Sequence, residues 1–139
     1  MNQKIMSSML VRKTKLSDKL DKMFELRKAY MSALQEKHPN HLLVQPVDLA
    51  NKKTQQQLRD LALRGVEEIF EALQHFKNSK AHRVTENTSF DQDAFTEEMV
   101  DAFNYFLSLL ILVDVTPDKL FEKYVYKDSV IHNRIKSNY

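Results

Sequence analysis

The sequence predicts one all-α domain, and three observations support that prediction. The chain has 139 residues and an apolar fraction of 42%, enough for a single domain with an ordinary core. It contains only one glycine and three prolines, whereas a β-protein needs many turn residues. Its apolar residues recur at helical spacing over long segments. We therefore expect a four-helix bundle-like core with an extra C-terminal helical segment, forming one domain over residues 1–139.

Two helices are predicted in the first half of the chain. Apolar residues at helical spacing indicate a first helix over about 17–37, and Pro39 ends it because proline disrupts a helix interior. Residues 40–47 show no clear period and predict a connecting loop. A long amphipathic helix is predicted over 48–77, with Gly65 inside its apolar stripe. Glycine costs a helix about 1 kcal/mol relative to alanine, so either the helix kinks there or a neighbouring backbone packs closely.

A third helix is predicted after a polar, basic stretch at 78–88. Ser89 and Gln92 have the spacing of a capping box, which places the helix start there and its end near Val113. From Ala102 onward this helix is apolar on nearly every side. Such a helix is expected to be buried all round, either at the centre of the monomer or across a subunit interface.

A fourth helix is predicted to begin at Thr116 and Pro117 and to run towards Ile131. Threonine is a favourable N-cap, and the fixed backbone angle of proline suits the first helical position. The connection between the third and fourth helices is therefore expected to be very short.

The composition excludes several kinds of protein. With 21 basic and 19 acidic residues the formal charge is +2, so we expect no nucleic-acid polymer as partner. The chain contains no cysteine, which excludes disulfides, thiolate zinc sites and cysteine catalysis and is consistent with the cytoplasm. No segment has the roughly 18 uninterrupted apolar residues of a membrane span, and none has the apolar centre of a secretory signal. We therefore expect no membrane association.

Two pairs of acidic residues are the strongest chemical signal: Glu68 with Glu71, and Glu98 with Asp101. Residues three apart lie on one face of a helix, so both carboxylates of a pair can point at one ion. Four carboxylates would converge if the two helices pack antiparallel, and such an all-oxygen site suits Mg²⁺, with Mn²⁺ as a substitute. Acids on helices usually face solvent, and acids in a first turn are favoured by the helix dipole. The position of both pairs beside apolar stripes favours the metal site.

The order of these motifs resembles a known family. E-E-x-x-E at 67–71, a basic loop, E-E-x-x-D at 97–101 and a helix leading to Lys127 are similar to the all-α nucleoside triphosphate pyrophosphohydrolases. That superfamily includes MazG-type enzymes, dimeric dUTPases and the phage dCTPase/dUTPase group. The segments 95–110 and 116–127 resemble the dUTPase/dCTPase branch most, and the resemblance covers roughly 20–139.

The resemblance implies the fold of that superfamily and hydrolysis of a nucleoside triphosphate to the monophosphate and pyrophosphate. It favours dUTP or dCTP as the substrate. It supports the assignment of four metal ligands: Glu68, Glu71, Glu98 and Asp101. Glu67 or Glu71 would orient or deprotonate the attacking water. A MazG-like enzyme with another base preference is the alternative within the superfamily.

The C-terminal segment matches the branch's pattern K-x-x-x-N-x-x-R-x-x-x-G-Y in part. Three residues fall on its lysine, arginine and tyrosine: Lys127, Arg134 and Tyr139. Ile131 takes the place of the asparagine and Asn138 that of the glycine, while Asn133 is a partial substitute. The resemblance implies that the matched residues, with Asn133, bind the substrate.

Further substrate contacts are expected from other segments. Arg27 stands where the first helix of such enzymes often carries a base-reading glutamine. The K-x-W motif that often follows the second helix has no tryptophan here, and Lys77 and Lys80 remain, with Arg83 as a further candidate for phosphate oxygens. Asn104, the amide one turn after the second acidic pair, either bonds a base or sugar hydroxyl or ties two helices together.

Two other classes of protein compete with the enzyme. One is a helical interaction module without catalysis, in which the acids only solvate helix faces and the third helix forms a dimer; Ile131 favours it. The other is a carboxylate-bridged iron protein, which wants Glu-x-x-His pairs that the two acidic motifs lack. The apolar third helix, together with the resemblance, predicts a homodimer or a tetramer.

Overall fold

The computed structural model describes residues 18–40, 47–84 and 86–137. Within these ranges the chain forms helices and no strand: α1 (Lys19–Lys37), α2 (Lys52–Leu73), α3 (Gln92–Leu112) and α4 (Pro117–Lys136). The predicted all-α, bundle-like fold is confirmed. Tyr139, Asn138 and most of the predicted loop at 40–47 lie outside the described residues.

The first helix agrees with its prediction. The Asp18 carboxylate accepts a hydrogen bond from the Leu20 backbone N–H at 3.0 Å and caps the start of α1. The helix ends at Lys37, two residues before Pro39, as expected because a proline disfavours helical geometry in the residue before it.

The second helix is shorter than predicted at both ends. Its N-cap is Asn51, whose side chain accepts from the Thr54 N–H at 3.1 Å, so α2 begins at Lys52 rather than at 48. Asp48 instead closes a turn, in which its carboxylate accepts from the Ala50 N–H at 3.0 Å. At the other end a turn follows directly after Leu73, four residues before the predicted end.

The predicted capping box of the third helix is wrong. The N-cap is Asp91, whose carboxylate accepts from the Ala94 N–H at 3.0 Å. Ser89 is held inside the loop, where its N–H and hydroxyl both donate to the Asn87 side-chain oxygen at 3.0 and 2.8 Å. Even from the later start, Glu98 lies about two turns inside α3, beyond the first turn where the helix dipole acts.

The α2–α3 pair is an antiparallel hairpin with the most extensive packing of the described helices. Gly65 is its point of closest approach, because a Cβ atom at this position would lie 2.9 Å from Tyr105 Cβ and 3.6 Å from the Ala102 carbonyl oxygen. The sequence predicts either a kink or close packing of a neighbouring backbone at Gly65, and the structure supports the close packing. At the end of the hairpin Phe76 packs on Phe95, with ring centroids 5.1 Å apart.

The core lies between α1 and α3, with α2 completing one side. Its buried members are Phe24 and Met31 of α1 and Leu107, Ile111 and Leu112 of α3. Leu58 and Leu61 of α2 and Leu120 of α4 pack against them.

The single chain does not bury α3 all round, so of the two predicted alternatives burial at the centre of the monomer is wrong, and burial across a subunit interface stays a prediction. Leu107 is 2% exposed, but Phe103 and Phe106 remain 37% and 44% exposed and stack on each other at the surface, with ring centroids 5.8 Å apart. One face of α3 therefore packs into the core and another is open to solvent.

The fourth helix begins as predicted and extends further. The Thr116 hydroxyl accepts from the Lys119 N–H at 3.2 Å, Pro117 is the first helical residue, and α4 continues past Ile131 to Lys136. Among the described helices α4 packs on α1 alone, and none of its residues is buried. No single described helix is long and apolar enough to cross a membrane; α3 and α4 meet those criteria only as a pair, and the pair is bent by 108°.

Candidate metal centre and adjoining pocket

Three of the predicted acids meet across the α2–α3 hairpin. Glu68 of α2 and Glu98 and Asp101 of α3 each offer a carboxylate oxygen, and the three oxygens lie within 4.8 Å of one another. The i, i+3 spacing places the two α3 acids on one face, and the antiparallel packing of α2 brings Glu68 opposite them. Glu68 and Glu98 are half-buried and Asp101 is exposed. We call these three residues the acidic cluster.

The acidic cluster carries negative charge, and no cation among the described residues forms an ion pair with it. Partial burial raises the pKa of the Glu68 carboxyl above its usual 4.5, and the charges of nearby acids raise it further: Glu71, Asp101, Glu98 and Glu67. The ion pairs within the described part of the chain lie elsewhere, on α1 and α4. The arrangement favours a proton or a cation on Glu68.

Glu71 and Glu67 stand beside the acidic cluster. Glu71 lies one turn beyond Glu68 on α2 and is exposed, and its oxygens are not among the three that converge. Its charge nonetheless raises the pKa of Glu68, as does that of Glu67. Their assignments as a fourth ligand and as groups acting on water remain predictions.

A cavity of about 330 Å³ opens between α1, α2 and α3 next to the acidic cluster. Arg64 lies one turn before Glu68 on α2, and Tyr105 lies one turn after Asp101 on α3, so both helices lead from the acids into this cavity. Its wall also contains Arg27 and Tyr30 of the facing helix α1 and Ser108 of α3. We call this cavity the arginine pocket.

Arg27 is held in a fixed orientation in the arginine pocket. Its Nε–H donates to the Ser108 hydroxyl at 2.7 Å, and that hydroxyl donates in turn to the Asn104 backbone carbonyl at 2.9 Å. The guanidinium carbon lies 4.5 Å from the centre of the Tyr30 ring, a cation–π contact. Burial lowers the pKa of Arg27, while Tyr30, Tyr105 and Asp101 counteract that shift, and the group stays protonated near neutral pH.

The sequence predicts Arg27 as a substrate contact, but it does not predict the other residues of the arginine pocket. Tyr105 has the spacing of an apolar core residue, and the pattern of α1 places Tyr30 in an apolar stripe. Arg64 could have been found from its position four residues before Glu68, which places both on one face of α2.

The other predicted substrate residues on α2, α3 and their loop are spread out. Asn104 is half-buried, and among the described contacts it takes part through its backbone carbonyl. Lys77 lies at the wall of a separate cavity of about 390 Å³ at the end of the hairpin. Lys80 and Arg83 are exposed in the loop.

The predicted contacts from α4 are not brought to the acidic cluster in this chain. Lys127, Asn133 and Arg134 are exposed on α4, and among the described helices α4 packs on α1 rather than on α2 or α3. Tyr139 lies outside the described residues.

No protein-family model, no curated protein and no solved structure matches this chain.

Proposed function

We propose that this protein is a Mg²⁺-dependent nucleoside triphosphate pyrophosphohydrolase that acts on a triphosphate such as dUTP or dCTP. The observation that supports the proposal is the convergence of Glu68, Glu98 and Asp101 within 4.8 Å, beside a pocket that contains two arginines and two tyrosines. A triphosphate needs a cation for its phosphates and a cavity for its base. The order of acidic motifs, which resembles the all-α pyrophosphohydrolases, favours release of pyrophosphate.

The acidic cluster fits a magnesium ion by its chemistry. Every donor is a carboxylate oxygen, the ligand type that Mg²⁺ prefers, and Mn²⁺ accepts the same ligands. Two oxygens bound to one Mg²⁺ can be at most about 4.2 Å apart, twice the usual metal–oxygen distance. The separations of up to 4.8 Å between the three carboxylates need only small side-chain rotations, or a bridging water, to reach that limit.

Each part of the site has a role in the proposed reaction. Bound Mg²⁺ would neutralise phosphate oxygens and make a nearby water more acidic. Glu71 or Glu67 would accept the proton of the water that attacks the α-phosphorus, as the new P–O bond forms and the α–β anhydride bond breaks. Arg64, at the wall of the pocket one turn from Glu68, can hold phosphate oxygens.

The test is pyrophosphate release from each common ribo- and deoxyribonucleoside triphosphate in Mg²⁺, repeated in Mn²⁺ and in a chelator. We expect turnover of dCTP or dUTP that the chelator abolishes. Asp101→Asn and Glu71→Gln should each lower turnover by about 100-fold or more, because even residues behind a metal ligand commonly cost 10–100-fold. Asp60→Asn, which changes an exposed carboxylate on α2 outside the cluster, should leave turnover unchanged.

A second candidate is a non-catalytic helical module that dimerises. The exposed aromatic face of α3 and the absence of buried residues on α4 favour it. It predicts no turnover of any triphosphate by a folded protein, and the Asp101→Asn variant should then be indistinguishable from the wild type. Turnover of triphosphates that carry other bases would instead indicate a MazG-like substrate preference.

A further inference from the structure

We propose that Arg27 makes the arginine pocket selective for a base with two adjacent hydrogen-bond acceptors, namely cytosine or guanine. This inference rests on the proposed function, since it gives the arginine pocket to the base of the triphosphate.

The contacts of Arg27 leave one edge of its guanidinium group available. Nε–H is used by the Ser108 hydroxyl at 2.7 Å, and the Tyr30 ring covers one face at 4.5 Å. The two terminal nitrogens make no hydrogen bond among the described residues. These nitrogens form a planar fork of parallel N–H donors, which binds two neighbouring acceptors in the same plane.

The bases differ in the acceptors they present to such a fork. Guanine offers O6 and N7 side by side, the pair that arginine reads in DNA, and cytosine offers O2 and N3. Adenine places an amino donor beside each ring nitrogen of its exposed edges, and uracil places N3–H between its two carbonyls. A fork of donors therefore pairs fully with cytosine or guanine and meets an opposing donor in adenine or uracil.

The position of the pocket suits a base whose phosphates lie at the acidic cluster. Arg64 and Tyr105 line the pocket, and each is four residues from a member of the cluster. Four residues correspond to about 6 Å along a helix, a distance comparable with that between a base and its α-phosphate. The Tyr30 and Tyr105 rings supply apolar surface on which a base can stack.

The inference is tested by binding, without any need for turnover. Nucleoside monophosphates are titrated into the protein in a chelator and followed by NMR or calorimetry, using dCMP, dGMP, dUMP and dAMP, with deoxyribose 5-phosphate as a ligand lacking a base. We expect dCMP or dGMP to bind about tenfold more tightly than dUMP and dAMP, within the discrimination that a bidentate pair provides. Deoxyribose 5-phosphate should bind more weakly than any of the preferred nucleotides.

Two variants assign the preference to Arg27. Arg27→Gln should lose the preference and gain affinity for dAMP, because a glutamine amide pairs with adenine. Arg27→Lys keeps the charge but not the fork, so it should bind all four nucleotides about equally. Lys28→Gln makes the same charge change at an exposed neighbouring position on α1 and should keep the wild-type preference.

Several results would overturn the inference: equal binding of all nucleotides, a wild-type preference for dUMP or dAMP, no binding, or deoxyribose 5-phosphate binding as tightly as dCMP. An unchanged preference in a folded Arg27→Lys protein would also overturn it. The proposed function is judged separately, by pyrophosphate release. Selective binding of dCMP or dGMP without turnover would support the pocket's selectivity and contradict the pyrophosphohydrolase.

Discussion

Glu68 is the residue on which stability and function oppose each other. The residue is partly buried, and this burial together with four neighbouring acids raises the pKa of its carboxyl, so in the absence of a cation its ionised form is less favourable in the folded protein. A residue that destabilises the metal-free fold while facing other carboxylates is typical of a binding site. The acidic cluster therefore gives a stability signature that can be measured before any substrate is known.

We predict that Glu68→Gln is more stable than the wild type in a chelator above about pH 4.5. An acid whose pKa is raised on folding contributes stability below its unfolded pKa, and that contribution is lost as the pH rises through the folded pKa. The free energy of unfolding of the wild type should thus fall with rising pH relative to the variant, which removes the charge. Urea denaturation at several pH values measures the difference.

Magnesium should reverse this order of stability, so that the wild type becomes more stable than Glu68→Gln. A cation that binds only the folded protein stabilises it by about 2.7 kcal/mol at 100 times its Kd, and the variant should gain less because it lacks one ligand. Asp60→Asn serves as the control, since its exposed carboxylate lies outside the cluster. A wild type that gains nothing from Mg²⁺ or Mn²⁺ would remove the metal centre from the proposal.

The spacing of acids predicts the three members of the acidic cluster, although Glu71, predicted as a fourth ligand, is not among the converging acids. The spacing does not predict the pocket beside the cluster. Glu98 and Asp101 share a helix face by local geometry alone, and only the antiparallel pairing with Glu68 had to be assumed. The bond between Arg27 and Ser108 joins residues 81 positions apart, and the packing of α1 on α3 determines it. No local pattern contains that information.

The α2–α3 hairpin depends on the missing side chain of Gly65. The helices approach so closely there that an added Cβ would lie 2.9 Å from Tyr105 Cβ, an atom fixed to the backbone that cannot rotate away. Gly65 lies three residues before Glu68, so any shift at this crossing also moves the acidic cluster.

We predict that Gly65→Ala lowers the free energy of unfolding by about 1–2 kcal/mol. Alanine is worth up to about 1 kcal/mol more than glycine in a helix, but inserting a methyl group into a filled contact costs about 1–3 kcal/mol, and the clash is expected to prevail. The variant should also bind Mg²⁺ more weakly. Denaturant unfolding measures the first effect, and magnesium titration measures the second.

The matched control is Gln56→Ala at an exposed position of the same helix, which should change stability by less than about 0.5 kcal/mol. If Gly65→Ala is as stable as the wild type or more stable, the crossing is looser than the structure indicates and Gly65 has no packing role.

The starts of α3 and α4 show when a local capping pattern predicts a helix boundary correctly. The Thr-Pro pattern at Thr116 predicts the start of α4 correctly, because the Thr116 hydroxyl accepts from the Lys119 N–H and Pro117 is the first helical residue. The capping box at Ser89 failed because Asn87 takes the Ser89 donors and Asp91 supplies the cap two residues later. Several capping residues in a row make the start ambiguous by a few positions.

The surface of the single chain exposes apolar side chains on two helices that the core does not use. On α3 the Phe103 and Phe106 rings face solvent. On α4 the exposed apolar residues include Phe121, Tyr124, Val125, Ile131 and Ile135. The sequence predicted an α3 buried all round, in the monomer or across an interface, and the open face leaves the interface as the remaining explanation. A monomer rarely exposes apolar surface in contiguous patches of this kind.

We predict a homodimer in which α4 is covered. The exposed apolar residues of α4 recur at helical spacing along one side, which suits packing against a second copy over the roughly 800 Å² per partner of a standard interface. Phe121→Glu places a charge in that side and should raise the dimer Kd by about tenfold or more. Tyr126→Glu is the control and should leave the dimer Kd unchanged, because Tyr126 lies on the opposite side of α4. The two aromatic residues have similar exposure, 59% for Phe121 and 60% for Tyr126. Sedimentation velocity over a concentration series distinguishes a 16.4 kDa monomer from a dimer of twice that mass. A wild type that stays monomeric throughout the series would contradict the homodimer, and the exposed side of α4 would then need a different partner.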